Sequence, residues 1–156
     1  MSTAELRVIY RPDQDGTGEI IAAVKSGVFA AQGSAWFGRD LKTFLTDLRC
    51  FPLTLANPPK MEGGFWNEGG RGFRNERASL KQCHLRICIK PYSSRGTLLV
   101  HIDLASPFWT APDDDLQNSA TIRFLTEYPA VTKFADQFEK VLDGAMDEAI
   151  LLGSTS

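Results

Sequence analysis

The sequence predicts an α+β fold: an antiparallel sheet of about five to seven strands with two amphipathic helices packed on one face. Three observations lead there. The stretch Cys83 to Ala105, CHLRICIKPYSSRGTLLVHIDLA, alternates apolar and polar residues on both sides of a turn, the period of two that marks half-buried strands. Two other stretches, Gly38 to Phe51 and the segment after Thr126, place apolar residues at steps of three and four, the period of a helix with one buried face. Strands cluster ahead of each helix with hairpin-like links, which favours antiparallel pairing over parallel βαβ units. A chain of 156 residues is one domain's worth and buries about 70% of its unfolded surface, so residues 1–156 read as a single globular domain.

The elements follow in order. Leu6 to Tyr10 is a short strand, and RPDQDGTG after it is a turn-rich loop. Ile20 to Lys25 and Val28 to Phe37 are strands joined at Lys25-Ser26-Gly27, a dipeptide context suited to a tight hairpin. Ala31, Gly33 and Ala35 share one face of the second of these strands, so another element approaches its backbone closely there, and a packed helix is the expected neighbour. The first helix buries Leu41, Phe44, Leu45, Leu48 and Phe51 and stops at Pro52; Asp40 sits in its first turn, where unpaired N–H groups favour a negative charge. Pro52 to Ala78 is a long Pro-, Gly- and Asn-rich connection with one short strand near Met61.

In the central hairpin, Leu85, Ile87 and Ile89 face the core with Leu98, Val100, Ile102 and Leu104. Keeping these apolar residues together demands pairing of opposite parity, which sets Leu85 near Ile102, Ile87 near Val100, His84 near Asp103 and Arg86 near His101. Ser106 to Ser119 breaks regular structure and is anchored by Phe108 and Trp109; Ala120 to Leu125 forms another strand. Thr126 is the expected N-cap of the second helix, with Pro129 in its first turn. Val131, Phe134, Phe138, Val141 and Leu142 form its stripe, Gly144 ends or interrupts it, and the remainder is a terminal strand or turn. The two stripes share their spacing, which an internal duplication would produce, but so would any two helices presenting one face to a core.

Composition excludes several classes. A net charge of −2 removes the phosphate-neutralising surplus on which nucleic-acid binding depends. No apolar run approaches the roughly 20 residues of a membrane-spanning helix, and MSTAELRVIYRPDQDG lacks the charge and apolar pattern of a secretory signal. A cytoplasmic location is expected. Cys50, Cys83 and Cys88 are odd in number, without CxxC spacing, and alternation places Cys83 and Cys88 on opposite faces of one strand, so reduced thiols are expected. Two histidines give no zinc pattern. No metal and no cofactor is assigned.

No catalytic motif is present, and no residue is assigned a catalytic role. The candidate binding residues are His84, Arg86, His101 and Asp103 on the polar hairpin face, with Phe65, Trp66 and Arg71 from the loop GGFWNEGGRGF. That loop has neither the Walker spacing of a phosphate loop nor the GxGxxG of a dinucleotide site. An imidazole beside a carboxylate suits proton transfer, but charged cross-strand neighbours also arise from ordinary pairing on a solvated face. A non-enzymatic module that binds another protein through the polar hairpin face is the first reading, and pairing of its own copies through an edge strand is a further one. The alternative is a small-ligand-binding protein or enzyme with a groove over Ala31, Gly33 and Ala35 and a histidine as polar contributor; a concave apolar pocket with converging polar groups would favour it.

The succession of a small-residue strand ending in Trp36-Phe37, then RDLKTFLTDLRCFP, MEGGFW, LRICIKPYSSRGTLLVHIDLA and LTEYPAVTKFADQFEKVL resembles a group of small uncharacterised bacterial proteins and, more loosely, the WapI-type immunity proteins. The resemblance runs over roughly residues 26–152 and lies in layout and apolar spacing. It implies a cytoplasmic α+β protein of immunity-like function, one that binds and neutralises a partner protein, and it carries no catalytic residues.

Overall fold

A computed structural model describes residues 2–38, 40–67, 79–109 and 113–155. The element order is β1 (Thr3–Pro12), β2 (Gly18–Ser26), β3 (Phe29–Phe37), α1 (Asp40–Leu48), β4 (Lys60–Trp66), β5 (Leu80–Pro91), β6 (Thr97–Ala105), β7 (Ser119–Glu127), α2 (Tyr128–Leu142) and β8 (Ala149–Ser154). All pairings are antiparallel, and the eight strands form one sheet in the order β3-β2-β1-β8-β7-β6-β5-β4. The fold is α+β as predicted, with one strand more than the upper expectation. The short terminal segment accounts for the difference: it sits between β1 and β7, pairing along its length with β1 and meeting β7 at Leu125↔Ser154 and through the Thr126 hydroxyl, partners that its six residues could not do without.

The sheet curls so that its first strand crosses its last ones. Ser26, at the β2–β3 turn, donates through Oγ to the carbonyl of Arg123 in β7. Further along, a Cβ at Gly33 would stand 3.1 Å from Leu104 Cδ2 in β6, and one at Gly63 in β4 would meet Phe37 at 2.9 Å and Ala35 at 3.0 Å. The close neighbour of the small-residue stripe is therefore the far half of the same sheet, and not a helix. Small side chains at the crossing let two strand layers approach more closely than the usual sheet separation of about 10 Å.

One apolar core fills the concave side. It gathers Leu6, Val8, Ile20, Val24, Leu85, Ile87, Ile89, Val100, Ile102 and Phe124 from the strands with both helical stripes. Phe138 packs edge-on against Phe44 of α1 and Phe134 of its own helix, with centroids 6.3 and 5.6 Å apart, contacts worth about 0.5–1.5 kcal/mol each beyond area burial. The shared stripe spacing thus serves a shared core. Phe51 lies outside it: α1 ends at Leu48, and the exposed Phe51 ring packs on Tyr128 at 4.8 Å.

Three local expectations are corrected. The β5–β6 register pairs Leu85 with Leu104, Arg86 with Asp103, Ile87 with Ile102 and Cys88 with His101. Parity is as expected, but the pairing is displaced by two residues because the strand continues to Pro91, which pairs with Leu98. The Tyr92 N–H donates to Thr97 O, and the Ile89 N–H reaches Pro59 O on the opposite side, so Pro91's missing N–H falls on the side where β4 has not yet begun. Thr126 does not cap α2. It is the last buried residue of β7's inner face, its hydroxyl donates to Leu152 O, and Glu127 occupies the N-cap without a side-chain bond. Alternation along β5 is also interrupted, with consequences for the candidate residues.

Candidate functional site

β5 carries a β-bulge. Gly63 pairs with Leu85 and Gly64 with Cys83, leaving His84 as the extra residue. A Cβ at Gly64 would run into the Gln82 carbonyl oxygen, so the bulge depends on glycine there. Past the bulge the parity of the strand inverts: His84 and Leu85 are consecutive buried residues, at 5% and 0% exposure. His84 thus leaves the polar face on which alternation had placed it. Cys83 and Cys88 fall on the same outer face, both near Arg86, and not on opposite faces.

The outer patch keeps Arg86, His101 and Asp103, joined by residues that pairing brings alongside. Arg86 Nε donates to Glu62 Oε2 at 2.9 Å and its guanidinium lies 3.6 Å from Asp103. Asp103 accepts from Thr121 Oγ1 at 2.6 Å and from His101 Nε2 at 3.0 Å, while Arg123 Nε donates to His101 Nδ1 at 3.2 Å. Partial burial works to raise the Asp103 pKa, but the hydrogen bonds from Thr121 and His101 and the Arg86 charge hold it below the ordinary carboxylate value. Because Nδ1 accepts from Arg123, Nε2 carries the proton that faces Asp103. Both nitrogens of His101 are engaged, so it has no free lone pair with which to take a proton from a substrate. The patch is a closed ladder of cross-strand ion pairs of the kind that a half-exposed sheet face builds.

On the other side of the bulge the geometry is concave. A cleft of about 620 Å³ opens between β3 and the β6–β7 connection. Its walls include Ala31, Gly33 and Ala35 of β3, Leu104 of β6, and His84, Phe65 and Trp109. Phe65 links the last two: its ring is edge-on to His84 at 4.5 Å and tilted against Trp109 at 4.6 Å. Trp109 was expected to anchor its loop inward, yet it is 78% exposed. The anchor is Gln82, whose side-chain amide donates to Phe108 O at 3.0 Å and accepts from Phe108 N at 3.1 Å.

That double bond to the Phe108 backbone also sets the tautomer of His84. It orients the Gln82 amide with Oε1 as acceptor, and His84 Nε2 lies 2.7 Å from that oxygen, so Nε2 must be the N–H donor. Burial lowers the His84 pKa below 6.5, leaving the ring neutral with its lone pair on Nδ1. Among the described residues no hydroxyl or thiol is hydrogen-bonded to that nitrogen, so no activated nucleophile accompanies it. The described residues also hold no group of three or more candidate metal ligands.

Of the remaining candidates, Trp66 is half-buried at the end of β4 and takes no part in the cleft wall. Arg71 lies outside the described residues. Sequence reasoning missed Gln82, Glu19 and the outward exposure of Trp109; the glycine pair Gly63-Gly64 in a strand was the available signal for a bulge opposite. No protein-family model, curated protein or solved structure matches this chain.

Proposed function

We propose that the protein binds a small organic molecule in the cleft between β3 and the β6–β7 connection. The observation that carries this reading is the convergence of Ala31, Gly33, Ala35, Phe65 and Trp109 with a buried, neutral His84 around one cavity of about 620 Å³, a volume and composition typical of ligand sites. The bulge at His84 supports it as well, since bulges re-aim side chains at functional sites. Immunity-like binding of a partner protein through the outer face is the weaker reading: its charged groups already neutralise one another, and a partner would have to open those pairs. Among the described residues no nucleophile is bonded to His84, which favours binding over catalysis. Three unbridged cysteines suit a reducing, cytoplasmic compartment.

The test is a library of soluble small molecules observed by two-dimensional amide NMR on the wild type and on Ser119→Trp, a substitution at an exposed cleft-wall position that fills the cavity without touching the core. Hits that move amides of β3, His84 and Trp109 in the wild type and lose that effect in Ser119→Trp are the expected result. A library that moves no cleft amides overturns the proposal.

A further inference from the structure

The chemistry of the cleft wall narrows the ligand class, an inference that rests on the small-molecule reading above. Among the described residues lining the cleft, Glu19 is the one carrying a formal charge. Its carboxylate is held by Ser34 Oγ, which donates to Oε2 at 3.0 Å, and it sits opposite Trp36 in the β2–β3 ladder. Trp36 is 51% exposed and lines the same cleft with Phe65 and Trp109. Indole and phenyl faces carry negative electrostatic potential and attract cations, most strongly where water is partly excluded. Among the described residues Nδ1 of His84, a residue of the cleft wall, accepts no hydrogen bond, which adds a neutral lone pair. Alternation sets Glu19, Ser34 and Trp36 on the face of β3 opposite Ala31, Gly33 and Ala35, so they border the cleft at the open edge of β3; a rim with one negative charge and an indole, above a wall with Phe65, Trp109 and His84, repels anions and favours a positive charge bearing apolar substituents.

We propose that this cleft selects organic cations of the quaternary-ammonium or substituted-amine class, with Glu19 supplying the counter-charge and Trp36, Phe65 and Trp109 the aromatic faces. A free carboxylate ligand is disfavoured, because Glu19 would face it with like charge and no lining Lys or Arg is present among the described residues to pair it.

The experiment titrates choline, benzyltrimethylammonium and dimethylbutanol, the neutral carbon isostere of choline, into the wild type, Glu19→Gln and Trp109→Ala, read by cleft amide shifts. Glu19→Gln keeps an oxygen for Ser34 and alters a partly exposed side chain, so the fold is retained; Trp109 is exposed and its loop is held by Gln82. At least one cation is expected to bind about tenfold more tightly than the neutral isostere, with a loss of about fivefold or more in each variant. The isostere's affinity is expected to be unchanged by Glu19→Gln. If the isostere binds as well as the cations, charge selection is overturned while small-ligand binding stands. If neither cations nor isostere move cleft amides, while other library members do, the cation class is again overturned; if nothing does, both proposals fall together.

Discussion

Replacing Gly33 with valine tests the crossing of β3 over β6, on which the shape of the cleft depends. A Cβ alone at Gly33 would stand 3.1 Å from Leu104 Cδ2 and 3.4 Å from Leu104 Cβ, and the two γ carbons of valine must go beyond that. Leu104 is buried at 4% exposure and has little room to retreat. Over-packing of this kind costs about 1–3 kcal/mol, offset by about 0.5–1 kcal/mol because glycine loses the most backbone freedom on entering a strand. The expected net loss is therefore about 0–2.5 kcal/mol. Leu104→Ala alone should cost about 2–3 kcal/mol, the low end of large-to-small core substitutions, because water from the cleft can enter the space. In the double variant the valine occupies volume vacated by the leucine, so combining the two should be less damaging than their sum by about 1–3 kcal/mol. Urea unfolding of the four proteins, followed by circular dichroism with equal m values, measures the coupling. Additivity within about 0.5 kcal/mol would show that these two side chains do not meet, and the crossed-strand architecture would be wrong.

Four further outcomes follow from the same geometry. Burial lowers the His84 pKa from 6.5, so the unfolded chain takes up that proton more readily than the folded one; stability should fall as pH drops below 6.5 toward the folded pKa, and His84→Gln should flatten that part of the stability profile. Asp103, held low, contributes stability that is lost only as pH falls through its folded pKa below 3.8, so Asp103→Asn should leave the His84 window unchanged. Gln82→Leu removes both bonds to the Phe108 backbone and the partner of His84 Nε2; a loss of about 1–3 kcal/mol and faster hydrogen exchange at the Phe108 amide are expected, and protection equal to wild type would contradict the anchoring role. Phe138→Ala deletes a fully buried ring that touches both helices and should cost about 3–5 kcal/mol by thermal or urea unfolding; a cost under 1 kcal/mol would mean that α1 and α2 do not share this core.

The candidate site was legible only in fragments. Ala31, Gly33 and Ala35 announced a close approach because consecutive small residues on one strand face have few other uses, and the groove reading attached to them named a histidine as its polar group. Which histidine it was depended on one inserted residue. Alternation assigns His84 to the face of Arg86, and the bulge opposite Gly63-Gly64 inverts the strand's parity upstream of Leu85, carrying His84 inward and Cys83 outward. Trp109 was misread for a related reason: an aromatic residue in a polar loop is expected to bury itself, but here Gln82 holds the loop by its backbone and leaves the indole on the cleft wall.

Periodicity by itself determined the strands up to β7, the two helices, the antiparallel class and the inner and outer faces of most elements, because each is a local property in which apolar side chains must share one side of a repeating backbone. The register of β5 on β6, the central place of β8, the crossing of β3 over the far half of the sheet and the inward turn of His84 were decided only in three dimensions. Each depends on a partner distant in sequence: the open side beside Pro91, the gap between β1 and β7, the glycine that admits Leu104, and the glycine that clears the Gln82 carbonyl. A pattern of alternation carries no information about how many residues the facing strand spends over the same length, and that count is what placed the imidazole in the cleft.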